Sequence, residues 1–291
     1  MKALLGIGLI LVTLSLIPAT SSPRQNRASE VAPEFVISVN DPRPLAQAAQ
    51  QLELKFGTGI SYEDAAWTYS GDSIKAAQTD WGRKIAEKNP AFKAVIPAGG
   101  SLQIKIPFDR ASRRPIPSVN TVLQNVLDQH KVRGNPGEFT FVNLGDDFSI
   151  MPTMARDEAG RMVPARSPLD FPISFSSAER SGIETLQLIC DTVTVASGRK
   201  VDLGIVPSNL LFNSVVQLSA NGEGARDVLI KALRALRWPD PRNLGQIPKL
   251  SWSLLYGPDT QYYSLNIKGV EQEVRGPTGA LRRVPVARTI R

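Results

Sequence analysis

The chain has 291 residues, a net charge of +7, one histidine and one cysteine. That inventory excludes an intrachain disulfide and any His/Cys metal cluster, and it leaves a Ser-His-Asp site dependent on a single imidazole. With 42% hydrophobic residues, a chain of this length must be held by apolar packing alone, and the length suggests two domains.

In chain order, Lys2 precedes an uncharged run from Ala3 to Ala19 rich in Leu, Ile and Val, with small residues at Ala19 and Ser21 and a polar stretch behind them. Residues 1–21 read as a secretory signal peptide. The competing reading is a retained anchor, although the run falls short of the ~20 residues a spanning helix needs and Pro18 interrupts its end. Export without disulfides suits a bacterial envelope protein, periplasmic or secreted.

The same order of elements then occurs twice. Phe35, Ile37 and Val39 alternate as a strand; Leu45, Ala48, Ala49, Leu52 and Phe56 mark a helical face ending at Gly57; Ile60 and Tyr62 open a second strand. Leu102, Ile104, Ile106 and Phe108 form a third strand, Val119, Val122, Leu123, Val126 and Leu127 a second helix, and Phe139, Phe141, Phe148 and Ile150 a hairpin turning at 145–147. The second copy runs from Phe171, Ile173 and Phe175 into a helix with Ser181 and Glu184 in capping-box spacing and a stripe of Ile183, Leu186, Ile189, Cys190 and Val193. Val201, Leu203 and Ile205 follow, then a bend at Pro207 to Asn209 and an extended run from Val215. A helix with Ala225, Val228, Leu229, Ala232 and Leu233 leads to a closing hairpin of Leu250, Trp252, Leu254 and Tyr263, Leu265, Ile267. The expected fold is α+β: two tandem β-α-β-β-α-β-β modules over 35–150 and 171–267, each a small mixed sheet with two helices on one face.

The copies differ by an insertion of roughly thirty residues at about 65–100 in the first, with a helix expected from Asp72 to Lys88. Its aromatic residues Trp67, Tyr69 and Trp81 make it either a flap over a sheet edge or a recognition surface. In the closing hairpin Tyr256 and Tyr262 are expected on the outward half, where they serve ordinary cross-strand pairing or a partner surface. Residues 268–291 are basic and broken by Gly and Pro, which reads as a flexible tail; its charge serves solubility or peripheral contact with anionic envelope surfaces.

The segment ISVNDPRPLAQAAQQLELKFGTGISYED, from Ile37 to Asp64, resembles the start of the short domain at the amino ends of secretins and of signalling TonB-dependent receptors, the STN domain. Residues 201–236 resemble its second half. The resemblance covers most of both copies and implies protein contacts in the periplasm, by exposed strand edges or domain stacking. No pore-forming or barrel region follows the second copy, so transport itself is not implied.

Reactive groups give no catalytic constellation. His130 sits where a helix terminus alone favours a cation, and there is no nucleophile elbow or phosphate-cradling Gly-rich loop. The pairs Glu63/Asp64 and Asp146/Asp147 are explained by strand ends and turns. No catalytic residue, cofactor, metal or nucleic-acid partner is expected. The sequence favours a non-catalytic adaptor or accessory of a secretin-like or outer-membrane assembly; the alternative is a cell-wall or polysaccharide hydrolase using a carboxylate pair.

Overall fold

Strand alternation and helical spacing each leave one apolar face to cover, and two layers of β-structure around each helix pair do the covering. The computed structural model describes residues 34–109, 115–239, 246–277 and 280–288; the expected signal segment lies outside the described residues. The order begins β1 (Glu34–Asp41), α1 (Pro44–Phe56), β2 (Ile60–Glu63), followed by an inserted β3 (Ser73–Lys75), α2 (Asp80–Lys88) and β4 (Val95–Pro97). Next come β5 (Gly100–Pro107), α3 (Val119–Val132), β6 (Glu138–Asn143), β7 (Phe148–Arg156) and β8 (Met162–Pro164). The second half has β9 (Pro172–Ser181), α4 (Gly182–Ser197), β10 (Val201–Leu203), α5 (Ser208–Asn213), β11 (Val215–Gly224), α6 (Ala225–Ala235), β12 (Leu250–Gly257) and β13 (Tyr262–Gly269), and then β14 (Glu271–Arg275) and β15 (Leu281–Pro285). The class is α+β, as the sequence predicts.

Helices α1 and α4 are built to one pattern. Leu45, Ala48, Ala49 and Leu52 are buried in α1, and Leu186, Ile189, Cys190 and Val193 at the same spacing in α4. Each helix stops at a left-handed glycine, Gly57 (φ 64°) and Gly198 (φ 67°), five residues after the last of these. Their starts differ: Ser181 and Glu184 make the expected capping box on α4, whereas α1 begins with Pro44 in its first turn and no side-chain cap.

The expectation of helices on one face of a single small sheet is corrected. β1 pairs antiparallel with β5, and β9 with β11, as separate two-stranded ribbons; β3 with β4 and β14 with β15 form two more, and the remaining strands join one seven-stranded sheet. Each helix pair lies between a ribbon and that sheet, because both sides of the pair are apolar. In β5, Leu102, Ile104 and Ile106 face the helices at 2% exposure or less, and the residues alternating with them are exposed.

The order of the large sheet is β10-β13-β12-β2-β7-β6, with β8 beside β7. β2 runs parallel to β7, and β6 antiparallel to it; β10 and β12 flank β13 in the same two senses. The halves are joined by parallel pairing of β12 with β2, Ser253 opposite Tyr62 and Leu254 opposite Glu63. The halves are therefore not separate bodies: residues 32–291 form one unit. They do keep two apolar clusters. Ile60, Tyr62 and Ile150 belong to the first, with α1 and α3, whereas Trp252, Leu254 and Leu265 belong to the second, with α4 and α6. Since Leu254 lies beside Glu63 and not beside Tyr62 in side-chain direction, the two helix layers sit on opposite faces of the shared sheet.

Three other expectations change. The insertion holds two single 3-10 turns around β3, and α2 begins only at Asp80, capped by the Thr79 hydroxyl, which accepts from Gly82 N at 3.2 Å. The bend at 207–209 leads into the short helix α5. Within the tail, 271–275 and 281–285 pair as a hairpin: Gly276 N donates to Ala280 O at 2.8 Å, so a glycine read as a breaker stands at its turn. β14 lies against α1, with Lys55 paired to Glu273 at 2.5 Å.

Candidate functional site

The joint between the halves uses both acidic residues at the end of β2. Adjacent strand residues point to opposite faces, so Glu63 and Asp64 cannot act on one substrate, and each is fully buried with its own arginine. Arg226 in the first turn of α6 donates Nε and Nη2 to the two Glu63 oxygens at 2.7 Å each, and its Nη1 lies 2.6 Å from Asp170. Asp64 accepts from Arg43 Nε at 2.6 Å, from the Tyr62 hydroxyl at 2.7 Å and from Tyr256 N at 2.9 Å. Arg43 Nη2 meanwhile donates to Tyr256 O at 2.6 Å, so one arginine clamps both the carboxylate and the backbone of β12. Pairing with Asp64 keeps the Arg43 guanidinium above its ordinary pKa against the desolvation that would lower it, and the buried, carboxylate-bonded Tyr62 phenol is pushed well above 10.

At either end of the sheet lie β10 and β6, with no further strand beyond them among the described residues. β10 has three residues and carries a Lys200–Asp202 ion pair, a short charged edge that discourages pairing. β6 is twice as long and holds the place in the first half that β12 holds in the second. The outer edge of β12 is taken up by β2; the equivalent edge of β6 pairs with no strand among the described residues.

The aromatic candidates separate. Trp67 is corrected to the interior: it is 5% exposed and packs beside Phe139. Tyr256 is likewise buried, because it shares its strand face with Trp252 and Leu254. Tyr69 is half-buried under the Arg156 guanidinium, and Tyr262 is half-buried beside the Lys200 ammonium. Trp81 alone is well exposed, at 46%, with Ile85 one turn along α2 at 40%. The insertion that presents them is anchored to β7 by Arg156 and the buried Asp72, 2.5 Å apart.

His130 is buried against the edge of the Phe139 ring, and desolvation lowers its pKa to about 4, so it is neutral near pH 7. Cys190 is buried in α4 with its thiol pushed up to about 12. Among the described residues no group of three His, Cys, Asp or Glu side chains could hold a metal ion. Among them also, no helix is long and apolar enough to cross a membrane.

A cavity of about 300 Å³, unforeseen from the sequence, lies where the β6–β7 turn, the start of β2, α6, the start of β12 and Arg288 converge. Asp147 accepts from Gly59 N at 2.9 Å and pairs with Lys249 at 2.7 Å, while Lys249 also donates to Asp146 O at 3.0 Å. Arg234 donates to Leu144 O at 2.7 Å, and Arg288 to the α6-terminal carbonyls of Leu233 and Leu236 at 3.3 and 2.8 Å. Burial pulls the Arg288 pKa below its ordinary value, the mark of a cation short of compensation. Trp252 lines the cavity at 4% exposure, and its buried Nε1–H has no acceptor among the described residues, a deficit of roughly 1–3 kcal/mol if nothing fills it. Trp67 has the same deficit, but the space beside it is about 10 Å³, barely one water. Of the Asp146/Asp147 pair, Asp147 is thus committed to Lys249 and the Gly59 N–H. Comparison of the chain with protein-family models, with curated proteins and with solved structures found no match.

Proposed function

We propose that this chain is an exported, non-catalytic interaction protein of the bacterial envelope, an adaptor or accessory that binds a partner of a secretin-like or outer-membrane assembly by strand addition at β6. The observation that carries the reading is that one edge type occurs twice, closed at β12 by β2 and paired with no strand at β6 among the described residues. An open edge offers unpaired backbone N–H and C=O groups, which a partner strand satisfies with little demand on side-chain identity. The exposed Trp81 and Ile85 on α2 supply a second, apolar contact, and apolar residues of this kind are concentrated at the centres of binding interfaces. The buried ion pairs of Glu63 and Asp64 support the same reading, since they tie the two halves into one rigid platform.

A photoactivatable phenylalanine at Thr140 in β6, expressed in the native host, tests this. The expected result is one discrete adduct with an envelope protein, absent when the probe replaces the exposed Asp191 on α4. Absence of any adduct from β6, together with hydrolysis of peptidoglycan or polysaccharide by the purified chain, overturns it.

A further inference from the structure

We propose that the cavity between α6 and the β6–β7 turn is a binding site for a small monocarboxylate with an apolar body, its carboxylate taken by Arg288. This goes beyond strand addition at β6 and does not depend on it.

Charge fixes the class of ligand. Among the described lining residues the cations Arg234, Lys249 and Arg288 outnumber the acids Asp146 and Asp147. Asp147 is already bound to Lys249 and to Gly59 N, and Arg234 reaches it only at 4.0 Å. Arg288 has no ion pair among the described residues, and its hydrogen bonds go to two neutral carbonyls, leaving guanidinium N–H groups to spare. A monoanion balances the site, whereas a phosphate dianion would overshoot it.

Shape and polarity fix the rest. Leu144, Ile230, Leu233 and Leu250 supply the apolar part of the wall, and the volume is at the lower end of the range for small-molecule sites. Trp252 lines the same wall, so its indole ring reports on whether the cavity is occupied. Lysine would serve a point charge as well, but a planar carboxylate suits the guanidinium fork of Arg288.

The probe is 3-phenylpropanoate, titrated into the full mature chain while the indole N–H signals of the four tryptophans are followed by proton–nitrogen NMR, with Trp252→Phe assigning one of them. The Trp252 signal is expected to move saturably and the Trp81 signal to stay. Arg288→Met is expected to weaken binding about tenfold or more, and 3-phenylpropanamide, the neutral isostere, by at least as much. The unchanged signals of the other tryptophans report that Arg288→Met is folded. The proposal is overturned if the Trp252 signal stays fixed up to about 10 mM probe. It is overturned equally if the amide or the folded Arg288→Met variant binds as tightly as the parent pair.

Discussion

Arg226 grips Glu63 across the joint between the two halves, both carboxylate oxygens engaged at 2.7 Å and the acid wholly out of water. A buried pair of this kind contributes little net stability when compared with apolar residues of equal volume, but breaking it strands a charge. Glu63→Gln and Arg226→Met are each expected to cost about 3–5 kcal/mol in denaturant unfolding, while the double variant Glu63→Leu/Arg226→Leu recovers most of that loss. Additive losses in the double variant would show that the pair is not acting as a unit.

The pH dependence of stability should carry a signature of His130. Its folded pKa, about 4, lies below the unfolded value of 6.5, so the neutral buried form favours folding. That contribution is complete above pH 6.5 and is lost as pH falls toward 4, by roughly 3 kcal/mol in all. Carboxylates also titrate near the lower end of this window, so the measurement is the difference in unfolding free energy between the parent and His130→Gln. That difference is expected to shift against the parent from pH 7 to pH 4; a constant difference would mean that His130 is as solvated folded as unfolded.

Much of this architecture is legible in the sequence, for reasons that particular residues make plain. Leu45 to Leu52 and Leu186 to Val193 reveal their helices because a stripe of apolar side chains at helical spacing is a local pattern. The joint is hidden for the opposite reason. All of Ile60–Glu63 is buried, yet Ser61 and Glu63 read as the solvent face of an alternating strand, since the arginine that covers Glu63 is 163 residues away. Alternation tells which face is buried and not which strand lies beside it. The cavity was illegible likewise: Gly59, Asp147, Ile230, Lys249 and Arg288 form no motif, and only the parallel pairing of β12 with β2 brings them together.

Cys190 offers a direct readout of opening in the second half. It is 0% exposed within α4, and burial holds its thiol at about 12, so both access and the thiolate needed for reaction are denied. Modification by an aromatic disulfide reagent is expected to be slower in the native protein than in urea-unfolded chain by a factor of at least ~10³, because reaction waits on opening of the core. Stoichiometric labelling at comparable rates in both states would show that α4 frays from its ribbon in solution.

The hairpin of β14 and β15 packs the basic end of the chain against the second half's closing strands. Val270 is fully buried at its base, Val286 N donates to Val270 O at 2.8 Å, and Lys249 N donates to Val286 O at 2.9 Å, so the returning strand holds the start of β12. Truncation after Val270 removes these bonds, uncovers Val270 and deletes the half-buried partner of Lys55. The expected loss is about 2–4 kcal/mol, from one buried aliphatic side chain and a partly screened ion pair. Because Lys249 and Arg288 both line the cavity, the same truncation is expected to abolish phenylpropanoate binding even where the remaining chain stays folded. A merely solvated tail would predict a stability change within about 0.5 kcal/mol and unaltered thermal unfolding. Thermal unfolding of the truncated and full chains at matched low and high salt separates the cases: burial leaves a loss that salt does not erase, since only the charge part is screened.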